Sequence, residues 1–572
     1  MLLSSSTTTS KTDLHASSTP TDLHAREAEA LVKWKDSLDN QTQSFLSSWN
    51  LLPRISNSSL SANSSDIHCH WDGIHCDDFA SVLKIELDSS NLKGTLQNVD
   101  FTSFPNLTTF VLSNNSLYGS IPHSISNLSV LTYLDLSVNQ FSGNIPNEIC
   151  LLTSLRLLYI DYNDLNGSIP HEIGMLEFVD GLFVSNNNLS GSIPASIGSI
   201  SMLTVLCLTG NKISGSIPPE IGLLRSLQEL YMDKNLLTGS ISPSLGNLSN
   251  LIFVNLGHNK LTSSIPREIG QLKSIEQLHL YENNLSGSIP SSIGKLTSLS
   301  HFDLSSNNIT GSFPAEMNNI TDLESLQLDE NSLSGSLPQN ICLGGRFTWL
   351  SVAKNHFTGH IPKTLKNCTT LVTLSLENNQ FTGNISKALG IYPSLNHVNL
   401  SNNNFVGSLP PELGNATQLH KLDLSSNLLV REIPKELGLL KFLFMLKLNN
   451  NKLSSSVPAE IGMLLDLQQL DLAANNLSGP IPIQMGQCSK LQLLNLRKNS
   501  FSGVIPYQIG KLLPLENLDL SQNLLTGELP PELENLRVLE TFILSHNNLS
   551  GSIPSAFEEM WSLTSVDVSY NS

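Results

Sequence analysis

The residues best equipped for chemistry lie in one short run near the N-terminus. The run reads His68-Cys69-His70-Trp71-Asp72-Gly73-Ile74-His75-Cys76-Asp77. Imidazole, thiol and carboxylate groups at this density could hold a zinc ion. Six residues separate the two cysteines, whereas zinc knuckles usually place about two to four between theirs. The residue types therefore leave two alternatives open, a metal site and a disulfide.

A second set of candidates consists of aspartates that share one slot of a repeating phrase. They are Asp135, Asp303, Asp423, Asp471, Asp519 and Asp567. Two such carboxylates could act as the acid and the base of glycoside hydrolysis, but regular recurrence favours a solvated consensus position. The sequence contains neither G-x-S-x-G nor H-E-x-x-H, and it has no phosphate-binding glycine loop. We therefore predict that this chain is not an enzyme and takes no cofactor.

These residues are positioned by a phrase of 24 residues that recurs from about residue 80 to the last residue. One copy, from Leu131 to Ser154, reads LTYLDLSVNQFSGNIPNEICLLTS. Its asparagine recurs in register from Asn115 to Asn571, and an earlier copy with Ser90 in that slot brings the count to twenty-one. The pattern L-x-x-L-x-L-x-x-N-x-L-x-G-x-I-P is identified as a plant-type leucine-rich repeat, and so strict a period means a solenoid. We therefore predict an α/β fold, a right-handed superhelix of about 21 coils.

The phrase explains why each copy turns once. Leu134 and Leu136 have the spacing of a strand, so their neighbours should point mostly outward. Gly143 loosens the backbone, and Pro146 removes a donor where regular pairing ends. The amide of Asn139 carries a donor and an acceptor. Stacked coils should therefore repeat this amide as a buried ladder.

A few copies depart from the phrase. Ser263, Arg431 and Ser455 replace its glycine, while Ser242 and Ser386 replace its proline. We interpret these changes as tolerated drift on an exposed edge. The alternative is that a break in the repeat marks a contact with a partner or a glycan.

Composition and charge narrow the classes of partner. A formal net charge of −18 argues against nucleic acid and against a strongly anionic membrane surface. Seven cysteines are an odd number, so at least one thiol is unpaired within the monomer. No apolar run approaches the roughly 18 residues of a membrane-spanning helix, and the opening MLLSSSTTTS lacks the apolar core of a secretion signal. We therefore expect the chain to be incomplete at both ends.

The chain is expected to contain three segments. Residues 1–26 are rich in serine and threonine and should be a disordered remnant. Residues 27–80 should form an N-terminal cap, because Leu31 and Trp34 lie at helical spacing and the end of a solenoid needs a cover. Residues 81–572 should form the repeat domain, truncated before a closing cap, a membrane helix or a kinase.

Four stretches carry a family resemblance. They are EAEALVKWKDSL from Glu27, CHWDGIHC from Cys69, the phrase L-x-G-x-I-P as in Leu189–Pro194, and the segment Asn340–Leu371. With them, residues 27–572 resemble the ectodomains of plant leucine-rich repeat receptor-like kinases. The last stretch is similar to the male-discoverer-interacting receptor kinases. The resemblance implies that a membrane helix and a Ser/Thr kinase would complete the receptor.

The resemblance also implies that Cys69 and Cys76 form a cap disulfide and hold no metal. Cys342 and Cys368 lie in adjacent coils, and whether they form a second disulfide stays open. A secreted receptor would be a glycoprotein. Candidate N-x-S/T sites are Asn57, Asn127, Asn247, Asn319, Asn367 and Asn415.

Non-consensus residues on the predicted strands are the candidate binding residues. Aromatic anchors beside hydrogen-bonding groups are typical of binding hot spots, although ordinary variability on a half-exposed face is the alternative. We expect an extended secreted peptide whose backbone is held by Asp233, Asn255, His279, Tyr281, His301 and Asp303, with Tyr231 and Phe253 as apolar anchors. Histidine titrates near the pH of the acidic wall space, so these histidines should be partly charged there and binding should depend on pH.

The sequence thus predicts the extracellular ligand-binding region of a plant receptor kinase at the plasma membrane. It would sense a secreted peptide on its concave face and signal through a short leucine-rich repeat co-receptor kinase. The alternative is a kinase-less protein, secreted or membrane-tethered, that acts as an enzyme inhibitor or a decoy receptor.

Overall fold

The computed structural model describes residues 20–51, 66–555, 557 and 560–572. The chain divides into two compact units, residues 1–214 and residues 215–572. Residues 1–19 of the segment expected to be disordered, and the sequon at Asn57, lie outside the described residues.

The described part of the N-terminal cap contains one α-helix and two short 3₁₀ helices. Their bounds are Pro20–Ser37 for helix α1, Gln43–Leu46, and Ile67–His70. Helix α1 begins at Pro20 rather than at Glu27, so the expected disorder is wrong for residues 20–26. The reason is that His24 and Glu27 turn inward and are buried beside Leu31. Polar residues on the buried face of a helix interrupt the apolar periodicity by which the helix is recognised in a sequence.

Tryptophan rings join the cap to the first coils. The rings of Trp34 and Trp49 lie 6.0 Å apart, and the ring of Trp71 stacks on Trp49 at 6.0 Å. Trp34 also meets Phe110 edge-on at 6.4 Å and donates its indole N–H to the carbonyl of Thr95 at 3.1 Å. A satisfied indole N–H is what burial of tryptophan requires, and the predicted helical cap is confirmed.

In the first unit, each coil contributes one inner strand, and most also contribute a short side strand and a 3₁₀ helix. The inner strands are Ile74–Cys76, Val82–Glu86, Thr109–Val111, Tyr133–Asp135, Leu157–Tyr159, Gly181–Phe183 and Val205–Cys207. The side strands are Lys93–Gly94, Ser116–Gly119, Gln140–Asn144, Asp164–Asn166 and Ser214–Gly215. The 3₁₀ helices are Phe101–Ser103, His123–Asn127, Asn147–Leu151, His171–Met175 and Ala195–Ser199. Ile74–Cys76 pairs antiparallel with Val82–Glu86, and the later inner strands pair in parallel.

The second unit repeats the same elements. Its inner strands are Glu229–Tyr231, Phe253–Asn255, Gln277–His279, His301–Asp303, Ser325–Gln327, Trp349–Ser351, Thr373–Ser375, His397–Asn399, Lys421–Asp423, Met445–Lys447, Gln469–Asp471, Leu493–Asn495, Asn517–Asp519, Thr541–Ile543 and Ser565–Asp567. Its side strands are Leu236–Gly239, Lys260–Ser263, Asn284–Gly287, Asn308–Ser312, Ser332–Gly335, His356–Gly359, Gln380–Asn384, Asn404–Gly407, Leu428–Arg431, Lys452–Ser455, Asn476–Gly479, Ser500–Gly503, Leu524–Gly527 and Asn548–Leu549.

The 3₁₀ helices of the second unit are Pro219–Leu223, Pro243–Asn247, Arg267–Gln271, Ser291–Lys295, Ala315–Asn319, Lys363–Asn367, Pro411–Asn415, Lys435–Leu439, Ala459–Met463, Ile483–Gln487, Tyr507–Lys511 and Pro531–Asn535. A four-residue α-helix, Ile385–Ala388, takes the place of one of them. Stacking of successive coils within each unit confirms the predicted leucine-rich repeat solenoid.

The predicted asparagine ladder is present, and Asn355 shows how it works. Its side-chain NH₂ donates to the carbonyl of Leu328 in the preceding coil at 2.8 Å and to that of Val352 in its own coil at 3.2 Å. Its side-chain oxygen accepts the backbone N–H of Leu333 at 2.9 Å. Both halves of the amide are therefore used between coils.

The glycine of the phrase sits in the left-handed backbone region, where side chains are disfavoured. Gly383, for example, has φ +108°. Ser263, Arg431 and Ser455 keep left-handed angles of 68°, 73° and 70° in the same slot. The substitutions of this glycine, which the sequence suggested were tolerated, therefore strain the backbone, since a non-glycine residue is disfavoured in this conformation.

Candidate functional site

Parallel pairing aligns the candidate residues in lanes that run across the coils of the second unit. In the lane formed by the third residue of each inner strand, Tyr231 is level with Asn255 and Asn255 with His279. The same lane continues to Asp303. Phe253 and His301 occupy the lane of the first strand residue. Side chains far apart in sequence thus become neighbours.

Five rings form a continuous row over three successive coils. The ring of Tyr231 lies 4.5 Å from that of Phe253, which lies 5.6 Å from the ring of His279. His279 meets Tyr281 edge-on at 6.4 Å, and Tyr281 meets His258 edge-on at 5.5 Å. We call Tyr231, Phe253, His279, Tyr281 and His258 the aromatic row. The sequence prediction omitted His258 from the site, although it had the same cue of a non-consensus ring.

The polar residues near the row are held by local contacts. The side-chain oxygen of Asn255 accepts the backbone N–H of Gly257 at 3.0 Å. The ring of Tyr281 lies over Gly257, where an added Cβ would approach the ring to 2.5 Å. Nδ1 of His301 lies 2.9 Å from the hydroxyl of Ser300. These contacts fix the side chains before any ligand arrives.

Asp233 and Asp303 are less available than the sequence suggested. They are 6% and 8% exposed. One carboxylate oxygen of Asp303 accepts the backbone N–H of Ser305 at 2.9 Å and its hydroxyl at 2.7 Å. The same turn recurs at Asp135, Asp423, Asp519 and Asp567, and Asp471 accepts the backbone N–H of Ala473. The slot therefore holds a turn-stabilising aspartate, and the expected solvated position is wrong for Asp303.

The expectation that His279 has an ordinary pKa and is partly charged near the pH of the acidic wall space does not take its burial into account. Burial lowers the pKa of this imidazole below its ordinary value, and the nearby Asp303 carboxylate only partly counters that effect. Burial also raises the pKa of the Tyr281 hydroxyl. His279 is therefore neutral over more of the mildly acidic range than an exposed histidine would be.

The first unit carries a second group of stacked rings. Tyr133 lies 5.6 Å from Tyr159, which stacks on Phe183 at 4.4 Å. Beside them, one oxygen of Asp161 is buried without a hydrogen-bond partner. Burial raises the pKa of the Asp161 carboxyl to about 6, and the Asp135 carboxylate adds to the shift. The sequence prediction did not single out Asp161; Gly181, over which the Phe183 ring folds, was the one available cue.

The cysteines fall into bonded and buried groups. A disulfide joins Cys69 to Cys76, as predicted for the cap, so these sulfurs cannot serve as thiolate ligands. The structure also joins Cys342 to Cys368, whose Cα atoms lie 5.9 Å apart. Burial raises the pKa of the Cys150 thiol to about 12. A thiol with so high a pKa is a poor nucleophile.

The described glycosylation candidates share one slot, the last residue of a 3₁₀ helix, and all are exposed. They are Asn127, Asn247, Asn319, Asn367 and Asn415. Their occupancy stays a prediction.

Known families and structures match almost the whole described chain. A model described as leucine rich repeat N-terminal domain matches residues 24–77, and one described as leucine rich repeat matches residues 105–165. A further leucine rich repeat model matches residues 202–224, 226–248, 250–272, 274–296, 298–320, 394–416, 490–512, 514–536 and 538–560. The crystal structure of the Arabidopsis receptor kinase HAESA, in complex with the peptide hormone IDA and the co-receptor SERK1, superposes with a TM-score of 0.80. At 34% identity the match covers 96% of this chain and 94% of that one.

The chain belongs to the family of plant leucine-rich repeat receptor kinase ectodomains. The PEPR1 ectodomain in its complex with AtPEP1 is also similar to it, at 31% identity and a TM-score of 0.74, covering 95% of this chain and 85% of that chain. MDIS1-interacting receptor like kinase 2 of Arabidopsis thaliana is 39% identical over 96 residues. That match covers 17% of this ectodomain and 8% of the relative's own length. Among the described residues, no helix combines the length and apolar character needed to cross a bilayer.

Proposed function

We propose that this ectodomain is the ligand-sensing part of a cell-surface receptor kinase and that it binds an extended secreted peptide along the inner strands of residues 229–303. The observation that carries the proposal is the aromatic row, which runs unbroken across adjacent coils. Parallel strands lie about 4.8 Å apart and neighbouring ring centroids lie between 4.5 and 6.4 Å apart, so the row offers a series of contacts to an extended chain. The site would face the outside of the plasma membrane.

The chemistry of the row fits a peptide. Tyr231 and Phe253 are half-buried rings that can cover apolar side chains, and such rings dominate the energetics of many interfaces. His301 uses Nδ1 for Ser300, which leaves Nε2 to meet a peptide carbonyl or N–H. Asp303 stabilises the turn beside the row through Ser305, and Asp233 is buried, so we expect both carboxylates to contribute to binding indirectly.

Two similar structures support the same class of ligand. The HAESA ectodomain is bound to the peptide hormone IDA, and the PEPR1 structure is a complex with AtPEP1. The strand lanes of this ectodomain have different residues from coil to coil, as a receptor with its own peptide would need.

A library experiment with matched histidine variants tests the proposal. Peptides that bind the wild-type ectodomain would be selected from a synthetic library and then titrated into H279A, H301A and the double variant by calorimetry. We expect the dissociation constant to rise about tenfold or more, as for a hot-spot residue. H397A is the control, because His397 lies in the same lane as His301 but four coils further on, and burial lowers its pKa as it does that of His279.

Equal affinity for the double variant and the wild type would contradict the proposed site, and so would an equal loss in H397A. Because burial lowers the pKa of His279, we expect it to bind as a neutral imidazole over more of the mildly acidic range than an exposed histidine would. A strong rise in affinity on acidification that H279A abolishes would show that the charged imidazole binds the peptide instead.

We also propose that the bound peptide recruits a short leucine-rich repeat co-receptor near the last coils, since SERK1 accompanies HAESA and its peptide. The SERK1 ectodomain is the probe. Peptide-dependent co-elution of the two ectodomains from a size-exclusion column would support recruitment. Co-elution that is the same with and without a selected peptide, or none in either case, would contradict it.

A further inference from the structure

A groove with a basic rim opens on the side of the second unit where the repeat is broken. Its volume is about 790 Å³, and it spans the coils of residues 336–405. The residues used below are Lys363, Lys366, Lys387, His360, Ile361 and Phe405. A volume between about 300 and 1,000 Å³ is typical of sites for small molecules.

One coil of the groove lacks the proline of the phrase and has an irregular helix. In the neighbouring coil the 3₁₀ helix begins at Lys363, directly after Pro362. Where Ser386 replaces the proline, an α-helix begins at Ile385, two slots earlier, and the Asn384 side chain caps it by accepting the N–H of Ser386 at 3.0 Å. The helix Ile385–Ala388 is therefore out of register with the 3₁₀ helix of the preceding coil.

Further departures from the phrase shape the wall. The slot before the isoleucine holds serine in most coils, but His360 and Asn384 occupy it here. The imidazole of His360 lies over Gly383, where an added Cβ would overlap the ring. Only glycine therefore lets the histidine fold against the wall of the groove.

The charge of the groove is opposite to that of the chain. Lys363 and Lys387, which occupy one slot of adjacent coils, both line the groove and are exposed, and Lys366 is a further exposed lysine in its lining. In the part of the chain that the structure describes, these three lysines form no ion pair, and no carboxylate lines the groove. The chain as a whole carries a formal charge of −18, so three unpaired cations around one cavity are a local exception.

The floor is apolar, with Ile361 and Phe405 beneath the rim. We propose that this groove binds a small amphiphilic anion, an apolar body with one carboxylate, sulfate or phosphate group. The body would lie on Ile361 and Phe405, and the anionic group would meet the ammonium groups of Lys363 and Lys387. This site is separate from the aromatic row and does not depend on peptide binding.

The probe for the test is 1-anilinonaphthalene-8-sulfonate, which joins an apolar ring system to one anionic group. Fluorescence titration would compare the wild-type ectodomain with K363Q/K387Q, and the uncharged N-phenyl-1-naphthylamine would serve as the neutral probe. We expect the double variant to weaken sulfonate binding about tenfold or more and to leave the neutral probe unaffected. K273Q/K295Q is the control, because it removes two exposed lysines outside the groove.

Hydrogen exchange locates the probe, which should protect the amides of residues 380–391 in the wild type only. A388E supplies a second variant; its carboxylate inside the groove should also abolish sulfonate binding. The proposal would be overturned by equal sulfonate binding in K363Q/K387Q and wild type, by an equal loss in K273Q/K295Q, or by tighter binding of the neutral probe. Asn384 lies in an N-x-S sequon, so peptide mapping that finds a glycan on Asn384 would overturn it too.

Discussion

Removing one rung of the asparagine ladder should loosen a defined part of the second unit. In N355A, the carbonyl of Leu328 keeps a second donor, the side-chain NH₂ of Asn331 at 3.2 Å. The carbonyl of Val352 likewise keeps the NH₂ of Asn379 at 2.9 Å. The backbone N–H of Leu333 is different, because Asn355 is its acceptor. The variant therefore leaves one buried donor without a partner and removes one donor from each of three carbonyls, those of Leu328, Val352 and Ala353.

The magnitude follows from that inventory. A buried unsatisfied donor costs about 1–3 kcal/mol, and a lost net hydrogen bond costs about 0.5–1.5 kcal/mol. The N355A substitution should therefore reduce local stability by about 2–4 kcal/mol. Each 1.4 kcal/mol corresponds to about a factor of ten, so amide exchange near Leu333 should accelerate by about 30- to 1,000-fold.

Hydrogen exchange with mass spectrometry is the suitable assay, since a long repeat array does not unfold as a single two-state system. N250A is the matched control: it deletes the same atoms, but its amide is exposed and donates once, to the carbonyl of Arg225 at 3.0 Å. The reasoning would be refuted by unchanged exchange around Leu333 in N355A. It would also be refuted by an equal acceleration in the corresponding coil of N250A.

Three further outcomes are expected. R431G should increase local stability by about 0.5–1 kcal/mol because it relieves a left-handed backbone, whereas S454G, one slot before a left-handed serine, should decrease it. Amide exchange of the side strands Leu428–Arg431 and Lys452–Ser455 measures the two effects. The stability of the wild type should rise as pH falls from 7 to 5, because the Asp161 carboxyl has a pKa of about 6 in the folded state and is therefore protonated at a higher pH there than in the unfolded state. The D161N variant should lose this part of the rise in melting temperature. G257A should displace the Tyr281 ring and weaken a selected peptide without lowering the melting temperature by more than a few degrees.

The regular part of the fold could be predicted because its causes are local and repeated. The asparagine slot, the strand leucines and the glycine slot each follow from the chemistry of one residue type, and twenty-one copies average out exceptions. The ladder at Asn355 therefore has the expected contacts. The cap disulfide between Cys69 and Cys76 also matches its prediction.

The start of helix α1 could not be predicted because it depends on buried polar partners. Glu27 is fully buried; its carboxylate accepts the hydroxyl of Ser81 at 2.8 Å and lies 3.2 Å from Nε2 of His68. A carboxylate is normally found at the surface. Only the fold brings Ser81 and His68 to it, so the inward face of the helix resembled an exposed one.

The proximity of the candidate residues to one another could be predicted from the repeat, but their accessibility could not. Ring-bearing residues such as Tyr231, Phe253 and His279 stand out against the repeat, and the parallel register brings them together. The role of Asp303 depends on a serine two residues later, and Asp-x-Ser is a turn signature that the sequence did contain. The state of His279 depends on burial by neighbouring coils, which a single strand cannot reveal.

Two kinds of departure from the repeat create recognition surfaces by different physical routes. The coils of the aromatic row differ from the repeat in their side chains and keep its backbone. Substitutions such as H279A should therefore alter affinity with little effect on folding. The groove with the basic rim involves a change in the backbone itself, because the helix of the Ser386 coil begins two slots early. Restoring proline at 386 should therefore affect the local structure as well as the anion site. Substitutions on regular coils can change binding specificity without altering the backbone, whereas substitutions at an irregular coil also change the stability of that coil.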